Sequence, residues 1–297
     1  MNLRDLQYLV AVADHQHFGK AAEACYVSQP TLSQQIKKLE EHLGTALFER
    51  DHRSVRLTPI GQEIVGRARR VLQEADGLVQ LAKSAGDPAV GELRIGAFPT
   101  LAPYYLPKVL PMVRKRLPDL KLYLVEDKTP NLLSQLQSGE LDAALLALPI
   151  RYEGLDAVPL LEESFWLAVA KDHPLAKRKS VSVDDMHGLS LMLLEDGHCL
   201  RDQALEVCQL AGAHESTTFK ASSLETLRQM VASGLGVTLL PEMALRQDDH
   251  GIRYLPIKDA PSRQVALVYR ASTARRQSLV LLIQALRKAY EQVRQVA

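Results

Sequence analysis

The chain has 297 residues, 46% of them hydrophobic and 24% charged, which suits two or three ordinary globular domains. Its 36 Lys and Arg against 35 Asp and Glu leave a net charge of +1, excluding a protein that holds nucleic acid or an anionic membrane by bulk positive charge. Three cysteines, Cys25, Cys199 and Cys208, exclude a disulfide-stapled secreted scaffold. With no signal-peptide pattern and no run of 18 apolar residues, the expectation is a cytoplasmic protein without membrane attachment.

In chain order, Asn2 is a good N-cap, and Leu3, Leu6, Leu9, Val10 and Ala13 recur after it at helical spacing. A short Ala-rich helix, Lys20 to Ala24, follows the Phe18-Gly19 turn. Ser28 caps a third helix with Pro30 in its first turn, and Gly44 ends it. Helices at 20–25 and 29–43 joined by a tight turn match a helix-turn-helix. In the third helix Leu32, Ile36, Leu39 and Leu43 fall within an arc of about 60° and form its core stripe. The opposite side carries Pro30, Gln34 and Lys37, with Thr31 and Lys38 at one edge and Ser33 at the other. That face offers an amide able to read adenine, hydroxyls, and ammonium groups for phosphates; a plain solvated face is the alternative. Phe48-Glu49-Arg50 and Ser54 to Thr58 predict the two strands of a wing with Asp51-His52-Arg53 at its tip. Residues 50–70 hold six Lys/Arg against Asp51 and Glu63, a local +4 that the whole-chain charge conceals.

Thr58-Pro59 predicts the start of a long helix, on which Ile60, Ile64, Ala68, Val71, Leu72, Ala75, Leu78 and Ala82 form an apolar stripe. Through Lys83 it is a rod of about 37 Å, long enough to pair with a second copy of itself; packing on its own C-terminal domain is the alternative. Ser84 to Pro88 breaks it. From Gly91 onward short apolar runs alternate with amphipathic helices. Strands are expected at Glu92–Ala97, Lys121–Glu126, Ala143–Leu148, Phe165–Ala170, near Leu191–Leu194, at Val237–Leu240 and at Val265–Tyr269. Helices are expected at Leu106–Arg116, Leu132–Ser138, Leu200–Ala211, Leu224–Ser233 with a capping box of Ser222 and Glu225, and Leu279–Val293. This order predicts two α/β lobes joined by crossing strands, with a cleft between them.

Cys199 falls where a helix begins, after a Gly-containing turn. Helix N–H groups, with His198 and Arg201 adjacent, predict that thiolate is favoured there, the species that peroxides and disulfides react with. Cys208 lies nine residues on, which in a continuous helix is a rise of about 13.5 Å, whereas a disulfide needs Cα atoms within about 7 Å. A bond between these two cysteines and an intact helix therefore exclude one another, so that any such bond melts the segment. Two buried core fillers are the alternative reading. A metal site of His198, Cys199, Cys208 and His214 has the wrong spacing and opposite helix faces. No phosphate loop, dinucleotide fingerprint or hydrolase motif is present.

The motifs Phe18-Gly19-Lys20-Ala21-Ala22, Val27-Ser28-Gln29-Pro30-Thr31-Leu32-Ser33, Leu47-Phe48-Glu49-Arg50 and Leu57-Thr58-Pro59-Ile60-Gly61 resemble the LysR-type transcriptional regulators. The resemblance runs through Ser138-Gly139-Glu140-Leu141-Asp142 and Gly234 to Pro241. Leu194 to Gln203 with Cys208 and Ser223 to Arg228 is similar to the hydrogen-peroxide-sensing members of that family. The resemblance implies a winged helix-turn-helix domain at 1–58 and a linker and dimerisation helix at 59–86. It implies a two-lobed α/β regulatory domain at 87–297, resembling periplasmic binding proteins, with lobe I at about 87–163 and 267–297 and lobe II at about 164–266. It implies that Cys199 is the peroxidatic cysteine and Cys208 the resolving one, forming a disulfide, with Thr100, Thr129, His198, Asp202 and Arg270 around the peroxide. Gln29, Pro30, Thr31, Ser33, Gln34, Lys37, Arg50 and Arg53 are implied to contact double-stranded DNA. It further implies a homodimer or homotetramer, RNA polymerase as a promoter partner, hydrogen peroxide as the signal, no cofactor or metal, and a regulator rather than an enzyme. A LysR-type regulator of an organic metabolite and a thiol peroxidase fused to a DNA-binding head are the two rival readings. Cys25 is read as a small core residue.

Overall fold

The computed structural model describes residues 1–51, 54–84, 87–150, 152–246, 248–259 and 262–296. The chain divides into two compact units, Met1–Gly86 and Asp87–Ala297.

In the first unit, α1 (Leu3–His15) starts with a reciprocal capping box between Asn2 and Asp5. Helix α2 (Phe18–Ala24) begins two residues before the expected start, because the His17 ring accepts hydrogen bonds from the Gly19 and Lys20 N–H groups. Helix α3 (Gln29–Leu43) is capped by Ser28 and closed by Gly44 in the left-handed conformation. Leu32, Ile36 and Leu39 are buried with Leu6, Leu9, Val12 and Leu47 in the core of this unit. Strands β1 (Phe48–Asp51) and β2 (Ser54–Leu57) pair antiparallel as the wing. Helix α4 (Pro59–Ser84) starts at Thr58, whose hydroxyl oxygen accepts from the Gly61 N–H. Its stripe has two fates. Ile64, Val65, Ala68 and Leu72 pack on the helix-turn-helix core, whereas Val71, Leu78 and Val79 stand open, Leu78 at 71% exposure.

The second unit runs β3 (Gly91–Ala97), α5 (Ala102–Arg116), β4 (Leu120–Glu126), α6 (Thr129–Ser138), β5 (Ala143–Ala147), β6 (Leu155–Ala170), β7 (Val181–Ser182), β8 (Ser190–Leu194), α7 (Cys199–Ala211), β9 (His214–Ala221), α8 (Leu224–Ala232), β10 (Thr238–Pro241), β11 (Ile252–Lys258), β12 (Ser262–Arg270) and α9 (Arg276–Val296). The main sheet has the order β4-β3-β5-β12-β6-β11-β7, with β10 also on β6. Strand β6 makes two lobes of it. Residues 155–164 pair with β12 in the first lobe, and residues 165–170 pair with β10 and β11 in the second. The first lobe buries β3, β5 and β12 beneath α5, α6 and α9. The second buries Leu167, Val169, Leu191, Leu193 and Leu239 with the face of α7 that carries Val207 and Cys208.

Several departures from expectation have simple causes. Helix α5 starts at Ala102 rather than Leu106. Pro103, Pro107 and Pro111 recur every four residues along one exposed face, so the missing N–H groups stay on the solvent side. The first half of β6 and all of β9 and β11 were absent from the sequence expectation, their apolar runs being interrupted by charged or polar residues. Ser223, not Ser222, caps α8: its hydroxyl accepts from the Thr226 N–H at 3.2 Å, and Glu225 turns instead to Arg228 and Gln229. Strand β12 pairs with β5 from Val265, so the first lobe's sheet reaches back before residue 267. Among the described residues, no helix is long and apolar enough to cross a membrane.

Candidate functional site

Parallel strands β3 and β4 end side by side, and the segments leaving them carry Thr100 on one and Asp127, Lys128 and Thr129 on the other. From the second lobe the turn Glu195–His198 leads into α7. Gly197 takes a φ of +90°, and a Cβ there would come 3.1 Å from Lys128 Cδ. Lys128 Nζ donates to Glu195 Oε1 at 2.7 Å and to the Asp196 carbonyl at 3.3 Å, fixing the turn against the first lobe. A cleft of about 790 Å³ lies between the lobes, with Thr100, Lys128, His198, Glu225 and Arg246 on its walls.

Cys199 is the first residue of α7, half-buried, and its side chain packs against the first lobe's core although its helix belongs to the second. Of the helix N–H groups, His198 and Arg201 expected to favour a thiolate, the Leu200 N–H does so, while His198 and Arg201 do not act on the sulfur and burial outweighs the rest. Burial pushes the thiol above its ordinary range; Arg263, Thr129 and the Leu200 N–H pull it down, and Asp202 pushes it up. Arg201 follows Cys199 by two residues, about 200° round the helix, and leaves on the far side. There it pairs bidentately with Glu215 at 2.6 and 2.9 Å, meets Asp196 at 2.9 Å and donates to the Leu194 carbonyl at 3.2 Å. His198 is buried, and its pKa is lowered by that burial and by Lys128, so the ring is neutral near pH 7. Neither ring nitrogen has a hydrogen-bond partner; Nε2 lies 3.9 Å from Glu195 Oε1.

Of the residues placed around the thiol by resemblance, Thr129 acts on the sulfur directly, Thr100 is bonded to Arg263, and His198 precedes Cys199 in the chain and lines the same cleft as Thr100. The Thr129 hydroxyl makes no hydrogen bond of ordinary geometry, yet lies close enough to favour the charged thiol. Asp202 is exposed and acts on the thiol only as a neighbouring negative charge. Arg270 is elsewhere. It donates to the carbonyls of Leu136 and Leu141, at the far end of β12, about 23 Å along the strand from Arg263. Arg263 is the arginine at this site, and sequence reasoning missed it. Its guanidinium donates to Thr100 Oγ1 and to the Thr100 carbonyl, both at 3.0 Å, and to Glu163 at 2.7 Å, and stacks 5.3 Å from the centre of the Phe98 ring.

Cys208 occupies the other half of α7, inside the second lobe's core, where burial and Glu215 push its thiol up. None of the three cysteines is in a disulfide. With α7 continuous from Cys199 to Ala211, the two thiols stand about 13.5 Å apart along its axis.

In the first unit, Gln29, Pro30, Thr31, Gln34 and Lys37 are exposed along α3 and Ser33 is half-buried. The Thr31 hydroxyl is held by Ser28 at 2.8 Å, and Lys37 lies 3.9 Å from Glu41. The Arg50 side chain and Arg53 lie outside the described residues.

Residues 3–62 match the family model of the bacterial regulatory helix-turn-helix protein, lysR family, and residues 86–291 match that of the LysR substrate binding domain. The chain is 51% identical over 273 residues to a hydrogen peroxide-inducible genes activator of Dickeya chrysanthemi, covering 91% of this chain and 90% of that protein. It is similar to the full-length OxyR C199D structure from Pseudomonas aeruginosa, with a TM-score of 0.79 and 41% identity, over 97% of this chain and 98% of that one. It is also similar to the structure of the oxidised form of OxyR, with a TM-score of 0.64 and 46% identity, over 69% of this chain and 98% of that one.

Proposed function

The chain belongs to the LysR family of bacterial transcriptional regulators, and from that premise we propose that it is a peroxide-responsive DNA-binding activator of the OxyR kind. The observation that carries the proposal is the pair of thiols on one helix, Cys199 beside Arg263 and Thr129 and Cys208 in a separate core. The Cys199 thiolate attacks one oxygen of hydrogen peroxide and the O–O bond breaks. Sulfur is oxidised to sulfenic acid, and the departing hydroxide takes up the proton that left the thiol and leaves as water. The Cys208 sulfur then attacks the sulfenic sulfur, the S–S bond forms, and a second water leaves. Because the intact helix holds the sulfurs apart, this step requires residues 199–208 to unwind, converting redox chemistry into a change of shape.

The output is conformational rather than catalytic turnover. Helix α3 enters a major groove of double-stranded DNA, with Gln29, Pro30, Thr31, Ser33 and Gln34 nearest the bases and Lys37, Arg50 and Arg53 near phosphates. The open half of the α4 stripe is covered by a second copy, and dimers associate into a tetramer that presents RNA polymerase with altered promoter contacts. The regulatory domain is residues 87–297, the linker 59–86 and the head 1–58.

The interlobe cleft supports a second reading, a LysR-type regulator that senses an organic metabolite. The two separate in one experiment. Cys199→Ser leaves a metabolite response intact and abolishes a peroxide response, read as DNase footprints of a target operator with and without micromolar peroxide. Retention of the peroxide response in Cys199→Ser contradicts the proposal.

A further inference from the structure

Glu163 and Arg263 are directly opposite one another on β6 and β12. Along β6 the inward positions read Leu161, Glu163, Phe165, Leu167, so a carboxylate occupies a place that the pleat turns toward the core. Neither side chain meets solvent, at 1% and 0% exposure. Glu163 Oε2 accepts from Arg263 Nε at 2.7 Å and lies 2.6 Å from Nη2, while Oε1 accepts from the Met243 N–H at 2.7 Å. Arg263 in turn donates to the Thr100 hydroxyl and carbonyl. A hydroxyl that accepts from a guanidinium has its own proton directed away from that donor, and Thr100 lines the cleft. A buried guanidinium deprived of its counter-charge is left uncompensated, so Glu163 is the group that keeps Arg263 in this place.

We infer that Glu163 is a positioning residue for peroxide reduction at Cys199, holding Arg263, and through it the Thr100 hydroxyl, toward the leaving oxygen. The inference rests on the proposed reaction at Cys199. In that step negative charge forms on the departing hydroxide as the O–O bond breaks, and the Arg263 guanidinium and Thr100 hydroxyl stabilise it without being consumed. The other groups acting on the sulfur are Asp202 on α7, Thr129 on α6 and the Leu200 N–H; the adjacent His198 ring is neutral. Without the Glu163 charge, Arg263 turns its attraction to the Cys199 sulfur and favours the thiolate, the reactant of this step, instead.

The test compares full-length wild type with Glu163→Gln, Glu163→Asp, Arg263→Gln and the double variant Glu163→Gln/Arg263→Gln. Two quantities are read: the pH profile of Cys199 alkylation by iodoacetamide, and the rate of sulfenic acid formation with hydrogen peroxide at matched thiolate fraction. In Glu163→Gln the alkylation profile moves to lower pH by about one unit while peroxide oxidation slows by about tenfold or more. Glu163→Asp recovers part of both. In the Arg263→Gln background, adding Glu163→Gln changes neither. An unaltered profile and rate in Glu163→Gln overturn the inference, as does a further loss in the Arg263→Gln background. If Glu163→Gln does not fold, the comparison of Arg263→Gln with the double variant, which buries no lone charge, decides by the same criterion. A wild-type Cys199 no more reactive to peroxide than free cysteine overturns the reading of the site itself, while the alkylation profiles still report the Glu163–Arg263 arrangement.

Discussion

At one end of α7, Cys199 sits against the first lobe's core beside a guanidinium, a threonine hydroxyl and a backbone N–H; at the other, Cys208 is packed among Leu191, Leu193, Val207 and Leu239 of the second lobe. Both thiols are pushed up by burial; a guanidinium, a threonine hydroxyl and the Leu200 N–H pull the first back, whereas Glu215 pushes the second further up and only its own backbone N–H pulls it back. The same side chain is thus placed once for chemistry and once for packing. Cys208 is packed in the second lobe's core, and the proposed switch requires that core to open, with unwinding of α7, before its thiol reacts. The difference also assigns Arg201: by binding Glu215, Asp196 and the Leu194 carbonyl it ties the first turn of α7 to β8 and β9, and so opposes the unwinding that joins the two sulfurs.

The largest effect expected from breaking this asymmetry is at the cysteines themselves. Cys199→Ser removes all peroxide-dependent disulfide, whereas Cys208→Ser still forms a sulfenic acid that a dimedone adduct detects by mass spectrometry. Equal loss of the primary oxidation in both would mean the ends are not distinct. Next in size is the tie at the first turn. Glu215→Gln removes one partner of a largely buried bidentate pair, weakening the anchor by about 2 kcal/mol and speeding disulfide closure more than tenfold in a quenched time course.

The two thiols also differ in access. Alkylation of Cys199 follows its thiolate fraction, so at 25 °C and pH 7 it is slower than that of a free thiol and rises as the pH is raised. Alkylation of Cys208 needs core opening first, so its rate rises steeply with sub-denaturing urea while that of Cys199 hardly changes. The smallest expected effect concerns His198. Its folded pKa lies below the unfolded value of 6.5, so the unfolded state binds more protons; stability is complete above pH 6.5 and is lost as pH falls below it. His198→Asn flattens that slope, which cannot exceed about 1.4 kcal/mol per pH unit, in urea titrations between pH 7 and 5.5.

The DNA-binding head was legible in the sequence because its signals are local. Asn2, Ser28 and Gly44 mark helix ends within a residue or two, and the Leu32–Ile36–Leu39 stripe is set by one helix's own period. The redox site was half legible. Cys199 and Cys208 lie on one helix, so their incompatibility with a disulfide followed from spacing alone. What surrounds Cys199 did not, since Glu163 and Arg263 meet across 100 residues of chain and only strand register brings them together. Arg270 rests on the resemblance alone, and on β12 it lies seven residues from Arg263, the arginine that the strand register brings to the site. One signal was available. In the run Leu161–Leu167, alternation puts Glu163 among inward apolar residues, and a charge there needs a buried partner.

The most direct test of the switch is hydrogen exchange with mass-mapped thiols on the same sample, before and after one equivalent of hydrogen peroxide. The account predicts a Cys199–Cys208 disulfide appearing together with lost amide protection across residues 199–208, and protection unchanged in α5 and α9. A Cys199–Cys208 disulfide with α7 still protected, or oxidation of Cys199 with no such bond, would contradict it.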